Sequence, residues 1–145
     1  MKEFNKDIRW LQRFDNLKKA FNQLERFVGE QELNEMEEQG LIKAFEYTYE
    51  LSWKTLQDFL KEKGYEDIIG QKPVIQQSFQ NGYISDGKGW MRMHESRNLT
   101  SHTYDEETAA EIIKEIQTEY FDLLKSLKEM LEKEGDGFTN TFFDD

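Results

Sequence analysis

Apolar residues near the start of the chain recur at alternating steps of four and three: Trp10, Phe14, Leu17, Phe21, Leu24 and Val28. That rhythm lines one face of a 3.6-residue helix and predicts a first helix from about Asn5 to Val28. Gly29 to Gln39, with Gly29, Asn34 and five glutamates, breaks the stripe and reads as a connection holding a polar turn of helix. From Gly40 to about Lys63 there are two seams, Leu41-Phe45-Thr48 and Ile42-Tyr49-Trp53-Leu56-Leu60, so this helix should touch neighbours on more than one side and be the central one. Gly64 stands where a left-handed residue ends a helix. Gln71 to Asn81 is a short helix with Pro73 in its first turn, Ile75 and Phe79 on one face, and Gly82 as its stop. Gly82 to Gly89 has loop composition. Trp90, Met93 or His94, and Arg97 then share roughly one face of a further helix. The last helix repeats Ala109, Ile113, Ile116, Tyr120, Leu123, Leu127 and Met130, its start marked by Thr103, Asp105, Glu106 and Glu107.

The pattern is that of an all-α chain, and 145 residues suit one domain that buries about 68% of its unfolded surface. We place that domain at residues 1–134 and read 135–145 as an acidic, frayed tail. Phe138, Phe142 and Phe143 are unusual in such a tail and suggest docking on a partner. Aromatics make up 14% of the chain, too many for a disordered one. The absence of cysteine excludes disulfides and thiolate zinc sites and suits the reducing cytoplasm. Nothing resembles a secretory signal, and no apolar run approaches the ~20 residues of a membrane span. A net charge of −11 repels polyanions on average, so an RNA site must be a local basic or neutral patch or be completed by a second chain.

Candidate chemistry concentrates in Arg97-Asn98-Leu99-Thr100-Ser101-His102-Thr103-Tyr104, which holds one of two histidines. Imidazole exchanges a proton near neutral pH, and a guanidinium binds phosphate oxygens through paired hydrogen bonds. On one continuous helix, five residues of separation would turn His102 about 140° from Arg97. The helix should therefore end near Ser101, with Thr103 to Asp105 opening the next one, so that the two side chains converge at a bend. A bend beside a helix N-terminus also suits an anion. Asn98 lies four residues from both His94 and His102, within reach of an imidazole or a phosphate oxygen.

The spacing Arg-x4-His-x-Tyr resembles the signature of the HEPN superfamily, in the branch called nucleotidyltransferase substrate-binding proteins. Phe45-Glu46-Tyr47-Thr48-Tyr49-Glu50-Leu51-Ser52-Trp53-Lys54 and Trp90 extend the resemblance over nearly the whole chain. It implies an up-and-down antiparallel bundle of four to five helices, often a homodimer or higher oligomer with two motifs facing across the interface. In members that are metal-independent ribonucleases, the histidine matched by His102 helps activate a ribose 2′-hydroxyl, the arginine matched by Arg97 stabilises the phosphorane, and Asn98 assists by hydrogen bonding. In toxin–antitoxin pairs, a minimal nucleotidyltransferase encoded nearby adds adenylyl groups to the tyrosine matched by Tyr104. Resemblance also makes Glu46 a candidate cleft residue, beside the plainer reading of a solvated carboxylate.

Other features carry less. Glu50 and Lys54 are spaced as a helical ion pair, which leaves Glu46 unpaired. His94 reads as a partly buried helix residue rather than a catalytic one. Two histidines and no cysteine supply a zinc site poorly, and the glycines of 82–89 lack the Gly-Lys-Ser/Thr ending of a phosphate loop. No metal or other cofactor is expected. The chain also lacks the Gly-Ser and paired aspartates of a nucleotidyltransferase, so it is not itself the transferase. Two functions stay open: a ribonuclease toxin acting on RNA and controlled by adenylylation or complex formation, or a non-catalytic nucleotide- or substrate-binding subunit of a two-component nucleotidyltransferase.

Overall fold

A computed structural model describes the backbone of residues 2–143 and the side chains of 9–136. It is built from helices α1 (Lys2–Val28), α2 (Glu35–Glu62), α3 (Gln71–Gln80), α4 (Gly87–Leu99), α5 (Glu106–Glu115) and α6 (Phe121–Phe143). A 3₁₀ turn, Thr100–His102, follows α4, and a π-helical turn, Ile116–Tyr120, joins α5 to α6 with helical dihedrals at both junctions. Among the described residues there is no strand. The all-α, up-and-down bundle is the expected one, and α2 is central, packing against α1, α3, α4, α5 and α6.

α1 buries Trp10, Phe14, Leu17, Phe21 and Leu24 along the predicted stripe. It packs close to α2: a Cβ on Gly40 would come within 2.7 Å of the Phe27 ring, which is why glycine suits that crossing. Trp10 meets Phe59 edge to face at 5.1 Å, and Phe45 stacks on Tyr120 at 5.6 Å, tying α2 to α1 and to the π turn. At the far end of α2, Gly64 takes φ +102, and its N–H and that of Tyr65 donate to Lys61 and Leu60 carbonyls, closing the helix with a left-handed cap.

Three boundaries differ from the sequence reading, each for a local reason. α2 starts at Glu35 rather than Gly40, because Asn34 and Glu37 form a reciprocal capping box: the Glu37 N–H donates to Asn34 Oδ1 at 2.8 Å and the Asn34 N–H to Glu37 Oε1 at 3.0 Å. α4 starts at Gly87, inside the expected loop, because the Asp86 carboxylate accepts from the Gly89 N–H at 2.9 Å. The buried stripe of the last helix runs Ile112, Ile113, Ile116, Tyr120, Leu124, Leu127 and Leu131, so Leu123 and Met130 lie beside the seam rather than in it. The π turn inserts an extra residue just before these positions, so that the step from Tyr120 leads to Leu124, while Leu127 stays in the seam. α6 also continues through Gly135, which lies against Leu11 and Trp10, to Phe143, where a frayed tail was expected. The side chains of Phe138, Phe142 and Phe143, and residues 144–145, lie outside the described part. Among the described residues, no helix is long and apolar enough to cross a membrane.

Candidate functional site

The Arg97–Tyr104 segment falls where α4 gives way to α5. α4 ends at Leu99, and the 3₁₀ turn then changes the direction of successive side chains, so the predicted break is present. Arg97 turns back toward α2. Its Nε lies 3.2 Å from Glu50 Oε1, off the N–H axis and so an ion pair rather than a directed hydrogen bond, and Nη1 donates to Thr100 Oγ1 at 3.0 Å. Thr100 Oγ1 in turn donates to the Arg97 carbonyl at 2.7 Å, so the first residue of the turn links the guanidinium to the backbone that carries it. The other Glu50 oxygen accepts from Trp53 Nε1 at 3.1 Å. A guanidinium has five N–H donors, and among the described residues Nη2 makes no hydrogen bond.

His102 faces outward. Its Nδ1 lies 3.1 Å from the Tyr104 hydroxyl, and the rings meet edge to face with centroids 5.7 Å apart. Tyr104 is 82% exposed. Among the described residues, no hydrogen bond joins Arg97 to His102, so within one chain the two flank the turn without converging on a common contact. Asn98 is exposed, and its carbonyl accepts from Ser101 Oγ at 3.3 Å. The N-terminus of α5 is not an open anion site: Asp105 Oδ2 accepts from the Thr108 N–H at 3.1 Å and from the Thr108 hydroxyl at 2.7 Å, which holds its carboxyl below the usual range.

Two expected pairings are exchanged. Glu50 takes Arg97 rather than Lys54, which instead lies over the Trp53 ring, and Glu46 is not unpaired but sits 3.6 Å from Lys43. His94 is held not by Asn98 but by α3. Its Nδ1 donates to Gln71 Oε1 at 2.7 Å, beside the Tyr49 hydroxyl at 3.4 Å, which itself donates to Gln71 at 3.0 Å. Burial first, then the Lys72 charge, lowers the His94 pKa, and burial raises that of the Tyr49 phenol.

Further along α4, Ser96, Glu115 and Tyr120 form a triangle that sequence reasoning missed. Glu115 Oε2 accepts from Ser96 at 2.7 Å and from Tyr120 at 2.9 Å, and the two hydroxyls lie 2.7 Å apart. Spacing along the chain put Tyr120, at the end of the π turn, on the inward face, but it could not disclose the polar partners Ser96 and Glu115. Glu50 and Thr100 were missed for a related reason, since both act through contacts between elements far apart or newly bent. A groove of about 520 Å³ lined by Glu35, Glu38, Glu106 and Tyr104 adjoins the motif. No group of three or more potential ligands among the described residues is placed to hold a metal ion.

Residues 12–133 match the family model described as nucleotidyltransferase substrate binding protein like. The chain belongs to that family. A Haemophilus influenzae protein named "Probable ribonuclease HepT" is 36% identical over 81 residues, 53% of this chain and 56% of that protein, so the chain spans about half the length of this curated relative. Among solved structures of this fold, HI0074 from Haemophilus influenzae matches with a TM-score of 0.74 at 28% identity, covering 82% of this chain and 98% of the other. That structure is described as revealing the fold of a substrate binding domain of a nucleotidyltransferase. A Thermus thermophilus protein matches with a TM-score of 0.72 at 30% identity, covering 77% of this chain and 94% of the other. The HEPN and nucleotidyltransferase substrate-binding resemblance seen in the motif is thus the chain's family.

Proposed function

We propose that this chain is a metal-independent ribonuclease whose site comprises Arg97, His102 and Asn98, that it is the partner of a minimal nucleotidyltransferase, and that Tyr104 is the point of control. The observation that carries this reading is the mounting of Arg97. Glu50 and Thr100 fix the guanidinium but leave its Nη2 edge unclaimed, one 3₁₀ turn from an imidazole that faces solvent. A phosphodiester held by Arg97 would have its developing phosphorane charge stabilised there, while His102 takes the proton of the attacking 2′-hydroxyl and Asn98 donates to a phosphate oxygen. The acidic groove beside Tyr104 repels phosphates, so RNA approaches from the Arg97 side.

Because Arg97 and His102 flank the turn rather than meet, the site is completed across a two-fold interface that brings one chain's His102 to its partner's Arg97. In this reading the domain of residues 1–134 forms a cytoplasmic homodimer. Adenylylation of Tyr104, or complex formation, silences it as the toxin of a toxin–antitoxin pair, the new phosphate adding negative charge beside the motif. The name of the Haemophilus relative supports the ribonuclease reading. The Glu50–Arg97 pair and the acidic groove favour a second one, a non-catalytic subunit that presents substrate or nucleotide to the transferase, as the description of HI0074 says of that protein.

Labelled RNA incubated with the purified dimer in EDTA separates the two. Cleavage retained in EDTA and lost in His102→Ala is the expected result. Cleavage abolished by EDTA, or unchanged in His102→Ala, contradicts the mechanism. Binding of nucleotide without any cleavage favours the subunit reading.

A further inference from the structure

We infer that His102 is the general base for the adenylylation of Tyr104, so that the imidazole proposed to cleave RNA also prepares its own silencing. The inference rests on the Tyr104 reading above and adds the group that activates the phenol. The pair is assembled by a few residues of backbone. The 3₁₀ turn ends at His102, the Asp105 N–H donates back to the His102 carbonyl at 3.1 Å, and Asp105 is fixed as the cap of α5. Between these two anchors His102 and Tyr104 rise from one tight turn, with Nδ1 3.1 Å from the phenol oxygen. When the phenol donates, Nδ1 accepts, which puts the ring proton on Nε2 and leaves Nδ1 as the proton's destination.

Among the described residues, no other group is so placed. Asp105 is occupied by Thr108, Arg97 is turned toward Glu50, and Glu106 lines the same groove without a hydrogen bond to Tyr104 among the described residues. Both rings are exposed in the single chain, so a nucleotide carried by the transferase, rather than free in solution beside the acidic groove, reaches the phenol.

A phenol is a weak nucleophile until its proton leaves, and a neutral imidazole within hydrogen-bond reach is suited to take it. The Tyr104 oxygen attacks the α-phosphorus of a nucleoside triphosphate as its proton passes to His102 Nδ1. The bond from the α-phosphorus to the bridging oxygen breaks, pyrophosphate leaves with the electron pair, and a phosphodiester now joins Tyr104 to the nucleoside. No electron transfer is involved. The resulting imidazolium lies against the new phosphate, and a charge-assisted hydrogen bond between them withdraws His102 from RNA.

The test is the initial rate of Tyr104 modification, followed by intact mass and peptide mapping, with the partner nucleotidyltransferase and ATP. His102→Ala and His102→Gln should each slow it by about 100-fold or more. Added imidazole should restore much of the rate to His102→Ala and leave the wild type unchanged. Wild-type rates in either variant, or a His102→Ala deficit that imidazole leaves untouched, would overturn the base assignment alone. A wild-type protein that the active transferase leaves unmodified at Tyr104 would overturn the Tyr104 reading itself, and the base assignment with it.

Discussion

In the proposed mechanism Arg97 depends on residues that do no chemistry. Glu50 neutralises and aims it, and Thr100 holds a second edge. Glu50→Gln should keep the fold but let the guanidinium wander, lowering RNA cleavage by about 10- to 100-fold, since small misplacements of a positioning group cost rates of that order; an unchanged rate would show that Glu50 does not orient it. Tyr104→Phe should cleave RNA like the wild type yet escape silencing by the transferase, whereas a residue that merely packs the start of α5 would leave silencing intact. His94 makes a different prediction. Its folded-state pKa lies below the ordinary 6.5, so the folded protein favours the neutral ring. Its contribution to stability is complete above that value and is lost as pH falls toward the lowered folded pKa, because the unfolded chain binds the proton first. Melting temperatures measured between about pH 7.5 and about pH 5.5 should therefore fall more steeply for the wild type than for His94→Gln. The motif residues were legible as candidates because chemistry restricts residue type and spacing, and the predicted break in the helix falls among them. Their partners were not: Glu50 is 47 residues from Arg97 along the chain, and only packing of α2 against α4 joins them.

At the scale of elements, helices announced themselves where apolar spacing is regular and hid where a polar device sets the boundary. The start of α2 rests on the Asn34–Glu37 box, in a stretch whose glutamates read as a connection. Asn34→Ala should cost about 1 kcal/mol of stability, measured by chemical denaturation with an unchanged m-value, and a loss near zero would mean that the cap is dispensable. The seam of the last helix was correct at Ile113, Ile116, Tyr120 and Leu127, while Leu124 and Leu131 take the places expected of Leu123 and Met130, and Ile112 is buried where Ala109 is only half-buried. A four-three pattern assumes uninterrupted α geometry, while Leu123 and Leu124, or Met130 and Leu131, are adjacent apolar residues either of which satisfies it. The π turn lies just before these choices, and Tyr120 at its end meets Glu115 and Ser96, fastening the helix that carries Arg97 to the last apolar stripe of the chain.

At the scale of the whole molecule, the proposed reading makes this acidic chain, with Arg97 and His102 on two sides of one turn, half of a site. Light scattering at micromolar concentration should find twice the 17.4 kDa chain mass, and a monomer would remove the interface on which the shared site depends. The single measurement closest to the central claim is RNA cleavage in EDTA by wild type, Arg97→Ala, His102→Ala and the double variant. Groups acting in one transition state should each cost at least about 100-fold alone, with the double variant scarcely worse than either. Full activity in either single variant, or losses that simply multiply, would contradict a site built from Arg97 and His102 together.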